Sequence, residues 1–212
     1  MATKKTIKAP LIEVKQGARK FLLTRLPASV VTAISYAAIR GQTNEDGAVQ
    51  RVLNQERINS IKTFTVQGGD YPNAVVLNWV SKENKLSSSD GALEFMIGER
   101  LAQIIDGQHR IAGIRAAIED VSSLGKLELP VVIYRNLSTQ ECADIFLSIN
   151  TEQKPVPRSL VFDLYGLASE SVVDHAAVRA RDIAMSLNDA GSPYEGDIKL
   201  PGAVKRRGGI PL

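Results

Sequence analysis

The sequence predicts an α/β (α+β) domain with a small mixed-sheet core and additional helices, and three observations carry that reading. Short apolar or alternating runs at residues 75–80, 92–97, 101–105 and 131–134 have the length and β-branched content of strands. Between them lie segments whose apolar residues recur every three or four positions, the period of helices packed on a sheet. The composition, 44% hydrophobic and 23% charged over 212 residues, is that of a globular chain able to bury a core.

In chain order, residues 1–10 read as a loose basic leader bearing Lys4, Lys5 and Lys8. Leu11 to Leu26 then holds two short strands separated by Gly17. Pro27 opens a helix whose apolar side is Val30, Val31, Ile34, Ala38 and Ile39. A polar loop follows, and Asn54 is placed to cap a helix containing Arg57, Ile58 and Ile61. Arg51 and Arg57 either face a phosphate or are the solvated ends of this element.

The Gly68–Pro72 cluster is a turn before the strand at 75–80. A polar connection leads to the strand at 92–97, and a short turn leads to the one at 101–105, so these three strands are expected to form one compact sheet. The strand at 101–105 breaks at Asp106 and Gly107. Ile111, Ile114, Ile118 and Val121 then mark a helix with one apolar stripe. Residues 106–110 are therefore a strand-to-helix junction. A glycine lets the backbone turn or approach a ligand there, and the amides of a helix's first turn attract anions. Two readings fit: Asp106 caps the helix within a purely structural turn, or Asp106, His109 and Arg110 surround a ligand.

Beyond this helix a strand begins near Leu127, with Pro130 pointing to an edge position or a strand start. Ser138 and Glu141 have capping-box spacing, and the helix they open ends near Asn150. Pro155 and Pro157 stiffen a second polar junction, in which Asn150 and Arg158 either read a nucleotide or nucleic acid or serve helix termination. Residues 169–188 form the longest expected helix, with His175 as an ordinary member. Lys205, Arg206 and Arg207 sit in a glycine-flanked loop that either contacts phosphate or is solvated. The domain organisation expected is residues 1–165 as the α/β domain and 166–212 as a helical extension with a basic loop.

Several function classes recede on composition alone. No apolar run approaches the ~20 residues that cross a bilayer, and the start carries no signal-peptide pattern, so the expectation is a cytoplasmic protein without membrane contact. Cys142 is the one cysteine, and with two histidines it leaves no repeated spacing for structural zinc. It reads as a small buried residue of a helix. The 26 basic and 23 acidic side chains, a formal charge of +3, permit nucleic-acid contact without demanding it.

The run Asp106-Gly107-Gln108-His109-Arg110 resembles the defining motif of the DGQHR-domain family, which includes the DNA phosphorothioation regulators of the DndB type. The 51–61 region, Phe146–Asn150 and Lys154–Arg158 look like further parts of the same pattern, so that the resemblance covers roughly residues 50–165. It implies a ParB/sulfiredoxin-like fold in which Gly107, His109 and Arg110 cradle nucleotide phosphates. Sulfiredoxins carry a catalytic cysteine where this chain has Gln108, so sulfinate reduction is not expected. On chemical grounds Gln108 and Asn150 would join Gly107, His109 and Arg110 in binding a nucleoside triphosphate, and Asp106 would either hold Mg²⁺ with phosphate oxygens or orient His109. Arg158, Lys205, Arg206 and Arg207 would face nucleic acid.

The implied function is a DNA-associated regulatory or accessory protein of a DNA-modification or defence system, under nucleotide control. Its partners would be DNA, other proteins of the modification system and a second copy of the chain. The alternatives are a Mg-dependent nucleotidase or NTPase using Asp106, His109 and Arg110 catalytically, and a noncatalytic assembly domain.

Overall fold

The computed structural model describes residues 5–39, 46–48, 50, 53–151, 175–199 and 210–211. The chain divides into two compact units, residues 1–152 and 153–212. The first is built on an eight-stranded mixed sheet flanked by helices, within the α/β class expected.

Strands β1 (Thr6–Gln16) and β2 (Arg19–Pro27) form a hairpin around Gly17, which adopts a left-handed φ of 57°. Helix α1 (Ala28–Ile34), β3 (Ser35–Tyr36), α2 (Gln55–Val66) and β4 (Val75–Trp79) follow. Next come β5 (Ser87–Ser89), β6 (Ala92–Met96), β7 (Ala102–Asp106) and α3 (Gln108–Asp120). A 3₁₀ turn at Ser122–Lys126 leads into β8 (Glu128–Arg135) and α4 (Thr139–Thr151). The sheet order is β3-β7-β4-β8-β2-β1-β6-β5. In the second unit the described elements are a helix at His175–Asn188 and a parallel pair of two-residue strands, β9 (Ile198–Lys199) and β10 (Ile210–Pro211).

All five residues of β4 are buried, as are Ala102 to Ile105 of β7, because both faces of the sheet are covered there. On one face α1 and α3 pack with Leu26, Val31, Ile34, Leu77, Ile114 and Ile133 in the main core. On the other, Cys142 and Ile145 of α4 close over Val76 and Ile105. Cys142 is wholly buried, and desolvation pushes its thiol up to about 11, in keeping with its reading as a packing residue.

Two expectations need correction, and two need refinement. Residues 6–10 are strand rather than leader, since Ile7 and Ala9 alternate inward and the segment pairs with β6. The strand at 92–97 shares one sheet with 75–80 and 101–105, as expected, but is not their neighbour: β6 lies between β1 and β5, because the first half of β1 claims its edge. The first helix stops at Ile34, and Ser35 and Tyr36 pair parallel to β7. Of the two positions Pro130 left open, an edge and a strand start, the structure takes the second: β8 is an interior strand between β4 and β2, and Pro130 is its third residue. The parallel ladder with β4 starts only at Val131, so the proline sits just outside it, where its missing N–H disturbs no bond to β4.

Candidate functional site

The junction at residues 106–110 forms as its sequence predicts, with β7 ending at Asp106 and α3 starting at Gln108. Gly107 between them has φ 96° and ψ 16°, a left-handed conformation that side chains with a Cβ adopt only under strain. A Cβ built there would lie 3.4 Å from Val75 Cγ2, so backbone conformation more than space selects glycine. The first intrahelical bond runs from the Ile111 amide to the Gly107 carbonyl, at 2.9 Å. Because the N-cap residue is a glycine, no side chain caps α3, and no acidic residue stands in its first turn. The structural reading of Asp106 as the cap is thereby corrected: Asp106 is still in the strand, paired with Val76. The positive end of a 13-residue helix thus lacks a side-chain cap beside the glycine.

The side chains that follow are held by distant parts of the chain. His109 is buried, and its Nε2 accepts a hydrogen bond of 3.0 Å from the Asn54 amide. For Nε2 to accept this bond, it must be the unprotonated nitrogen of the ring. Asn54 in turn caps α2, its Oδ1 accepting from the Arg57 amide at 2.9 Å, as its sequence position predicts. One residue therefore starts α2 and fixes the histidine of α3. The two helices meet at Gly113, where a Cβ would come within 2.5 Å of Ile61 Cγ2.

Arg110 is half-buried. Its Nη1 donates to the Asn73 carbonyl, and its guanidinium carbon lies 5.9 Å from the Tyr71 ring centroid. Burial raises the pKa of Tyr71, against the lowering effects of its Thr65 hydrogen bond and of Arg110. Gln108 is also buried, and its Oε1 has no hydrogen-bond partner among the described residues. A buried acceptor left without a donor costs about 1–3 kcal/mol, a cost that concentrates at functional positions.

Sequence reasoning missed the supporting polar side chains. Buried Gln50 donates to the Ile104 carbonyl at 3.0 Å and to that of Ile105 as well, on the strand that leads into the turn. Asn78 and Gln103 form a second group: Asn78 bonds both ways with Leu137, and Gln103 donates to the Asp46 carbonyl at 2.6 Å. Asn54 was legible as a cap, but nothing in spacing links it to a histidine 55 positions away.

Of the residues expected at the site, Asp106, Gly107, Gln108, His109 and Arg110 are contiguous and lie at one end of β7. Asn150 is exposed near the end of α4, with its Nδ2 donating to the Phe146 carbonyl at 2.7 Å. Arg51, Arg158, Lys205, Arg206 and Arg207 lie outside the described residues. Among the described residues, no group of three or more His, Cys, Asp or Glu side chains could hold a metal ion, and no helix is long and apolar enough to cross a membrane.

Fold and site thus define a mixed α/β domain carrying a strand–glycine–helix turn suited to an anion. The chain belongs to the DndB family, described as DNA-sulfur modification-associated, whose model matches residues 9–179. It is a regulatory or accessory protein of a DNA-modification system, the role implied by the Asp106–Arg110 motif. No curated protein matches it in sequence. Among solved structures, the C-terminally truncated chromosome-partitioning protein ParB from Caulobacter crescentus, complexed with CTP-gamma-S, is similar over 79% of this chain and 80% of that one, at 12% identity and a TM-score of 0.47.

Proposed function

We propose that this protein binds a nucleoside triphosphate at Gly107–Arg110 and uses it to control engagement of DNA by the modification system. The observation that carries the reading is the start of α3: a helix without a side-chain cap, behind a left-handed glycine, with Arg110 in its first turn and its guanidinium held by the Asn73 carbonyl. Such a turn offers backbone amides and a guanidinium fork to phosphate oxygens. Mg²⁺ commonly takes one or two protein carboxylates together with substrate phosphates, so the single carboxylate of Asp106 fits that ion as its protein ligand.

Binding is favoured over hydrolysis by His109. Its Nε2 lone pair is already engaged by the Asn54 amide, which makes that nitrogen a structural acceptor rather than a general base. The histidine would instead transmit occupancy of the turn to α2.

Calorimetric titration with each of the four ribonucleoside triphosphates, with and without Mg²⁺, tests the proposal. At least one should bind, and Arg110→Ala should weaken it about tenfold or more, as removal of a charge-assisted hydrogen bond of roughly 1.5–3 kcal/mol requires. Arg110→Lys should recover only part of the affinity, because an ammonium lacks the planar fork. Failure of all four nucleotides to bind would overturn the reading. Phosphate release that depends on His109 would replace it with the nucleotidase alternative.

A further inference from the structure

The opposite end of β4 carries a second polar feature. From Val75, beside Gly107, to Trp79 is four residue steps, so at a rise of roughly 3.3 Å per residue the two ends lie about 13 Å apart. At the Trp79 end there is a cavity of about 380 Å³ whose lining includes Ser81, Lys82, Lys85 and Arg135. No carboxylate lines it, and Glu83 of the same loop is exposed and outside the lining. Among the described residues none of the three cations joins an ion pair.

The loop that presents the lysines is fastened in place. The Asn84 amide donates to Ser81 Oγ at 3.1 Å, and the Asn84 carbonyl accepts from Trp79 Nε1 at 3.0 Å. The Asn84 side chain bonds both ways with the backbone of Met96 on β6. The Ser81 amide is further tied to the Leu101 carbonyl, at 3.2 Å. Arg135 is oriented by two bonds from Nη2, to the Leu86 carbonyl at 3.2 Å and to Ser88 Oγ at 2.9 Å. Three positive charges are therefore gathered without a neutralising partner among the described residues, one of them aimed by fixed hydrogen bonds. Such a cluster draws an anion, and phosphate is the anion that this set of donors fits.

We infer that this cavity takes a backbone phosphate of double-stranded DNA. The inference rests on the reading that the protein engages DNA, and it supplies a surface for that contact. The one aromatic side chain in the lining is Trp79, which is 3% exposed with its N–H committed to Asn84, so it offers no face on which an unpaired base could stack. With lysine and arginine but no stacking platform, the contact positions a duplex without reading its sequence. Its place at the far end of β4 separates it from the Gly107–Arg110 turn.

The test is fluorescence anisotropy of a labelled duplex of arbitrary sequence against the full chain, over a series of salt concentrations. K82Q/K85Q should weaken binding about tenfold at low salt and reduce the slope of log affinity against log salt by roughly 0.9 for each phosphate no longer neutralised. K82R/K85R should bind like the wild type. Both lysines are exposed, and the thermal unfolding of either variant should match the wild type. Wild-type affinity and slope in K82Q/K85Q would overturn the inference while leaving DNA engagement standing. Absence of duplex binding by the wild type would overturn both. Protection of these lysines from acetylation by inorganic phosphate but not by duplex would mark the cavity as a free-anion site and overturn the inference as well.

Discussion

At one end of β4 the chain buries Gln108 and His109 against the start of a helix; at the other it leaves Lys82, Lys85 and Arg135 exposed around an open cavity. The first end is specified by long-range contacts, with Asn54, Asn73 and Gly113 each holding one part of it. The second is specified by a short exposed loop pinned through Asn84, to which β8 adds Arg135. The difference is one of energetic coupling. Changes at the buried end must alter stability together with binding, whereas changes at the basic end should alter binding alone.

The largest stability effect is expected from Gly113→Ala. Its Cβ would fall 2.5 Å from Ile61 Cγ2 and 3.0 Å from the Ile58 carbonyl, so α2 and α3 must separate. Overpacking of this kind costs about 1–3 kcal/mol, which thermal unfolding would register as a clear fall in Tm. His109→Ala should come next, at about 1–3 kcal/mol, since it leaves the Asn54 amide without its acceptor. Unchanged Tm in that variant would break the comparison, because the histidine would then not join the two helices. Lys82→Gln, by contrast, should stay within about 0.5 kcal/mol of the wild type.

Two smaller effects concern α4, which covers the second face of the sheet. With its thiol pushed up to about 11 by burial, Cys142 should resist alkylation by iodoacetamide at a pH of about 8 in the native protein and react only on unfolding. Rapid labelling of the folded chain would show that α4 opens. At the start of the same helix, Glu141 has its pKa lowered by hydrogen bonds from the Ser138 amide and hydroxyl. A depressed folded pKa contributes stability above the unfolded value, and that contribution is lost as pH falls through the folded one. Glu141→Gln should therefore lower Tm slightly at neutral pH and leave it nearly unchanged in acid.

Local chemistry was legible in the sequence, and long-range pairing was not. The Asp106–Gly107 break, the Asn54 cap and the Ser138–Glu141 box are each decided by residues within a few positions, and each forms as expected. The placement of β6 depends on which strand claims its edge, and five residues of alternating pattern do not encode that choice. Pro130 left an edge and a strand start open for a related reason: it lies near the start of an interior strand, at a point where the ladder with β4 has not yet begun. In the site, Gly107 and Arg110 announce themselves by type and spacing. Gln50, Asn73 and Asn54 acquire their roles toward the turn only through the fold.

The most direct measurement is an amide NMR titration of the isotopically labelled chain with a nucleoside triphosphate and, separately, inorganic pyrophosphate. Phosphate binding at the start of α3 should move the backbone amides of Gln108, His109 and Arg110 most, with Asn54 following through its bond to His109. Saturable shifts centred elsewhere, with these amides unmoved, would contradict phosphate recognition at this turn.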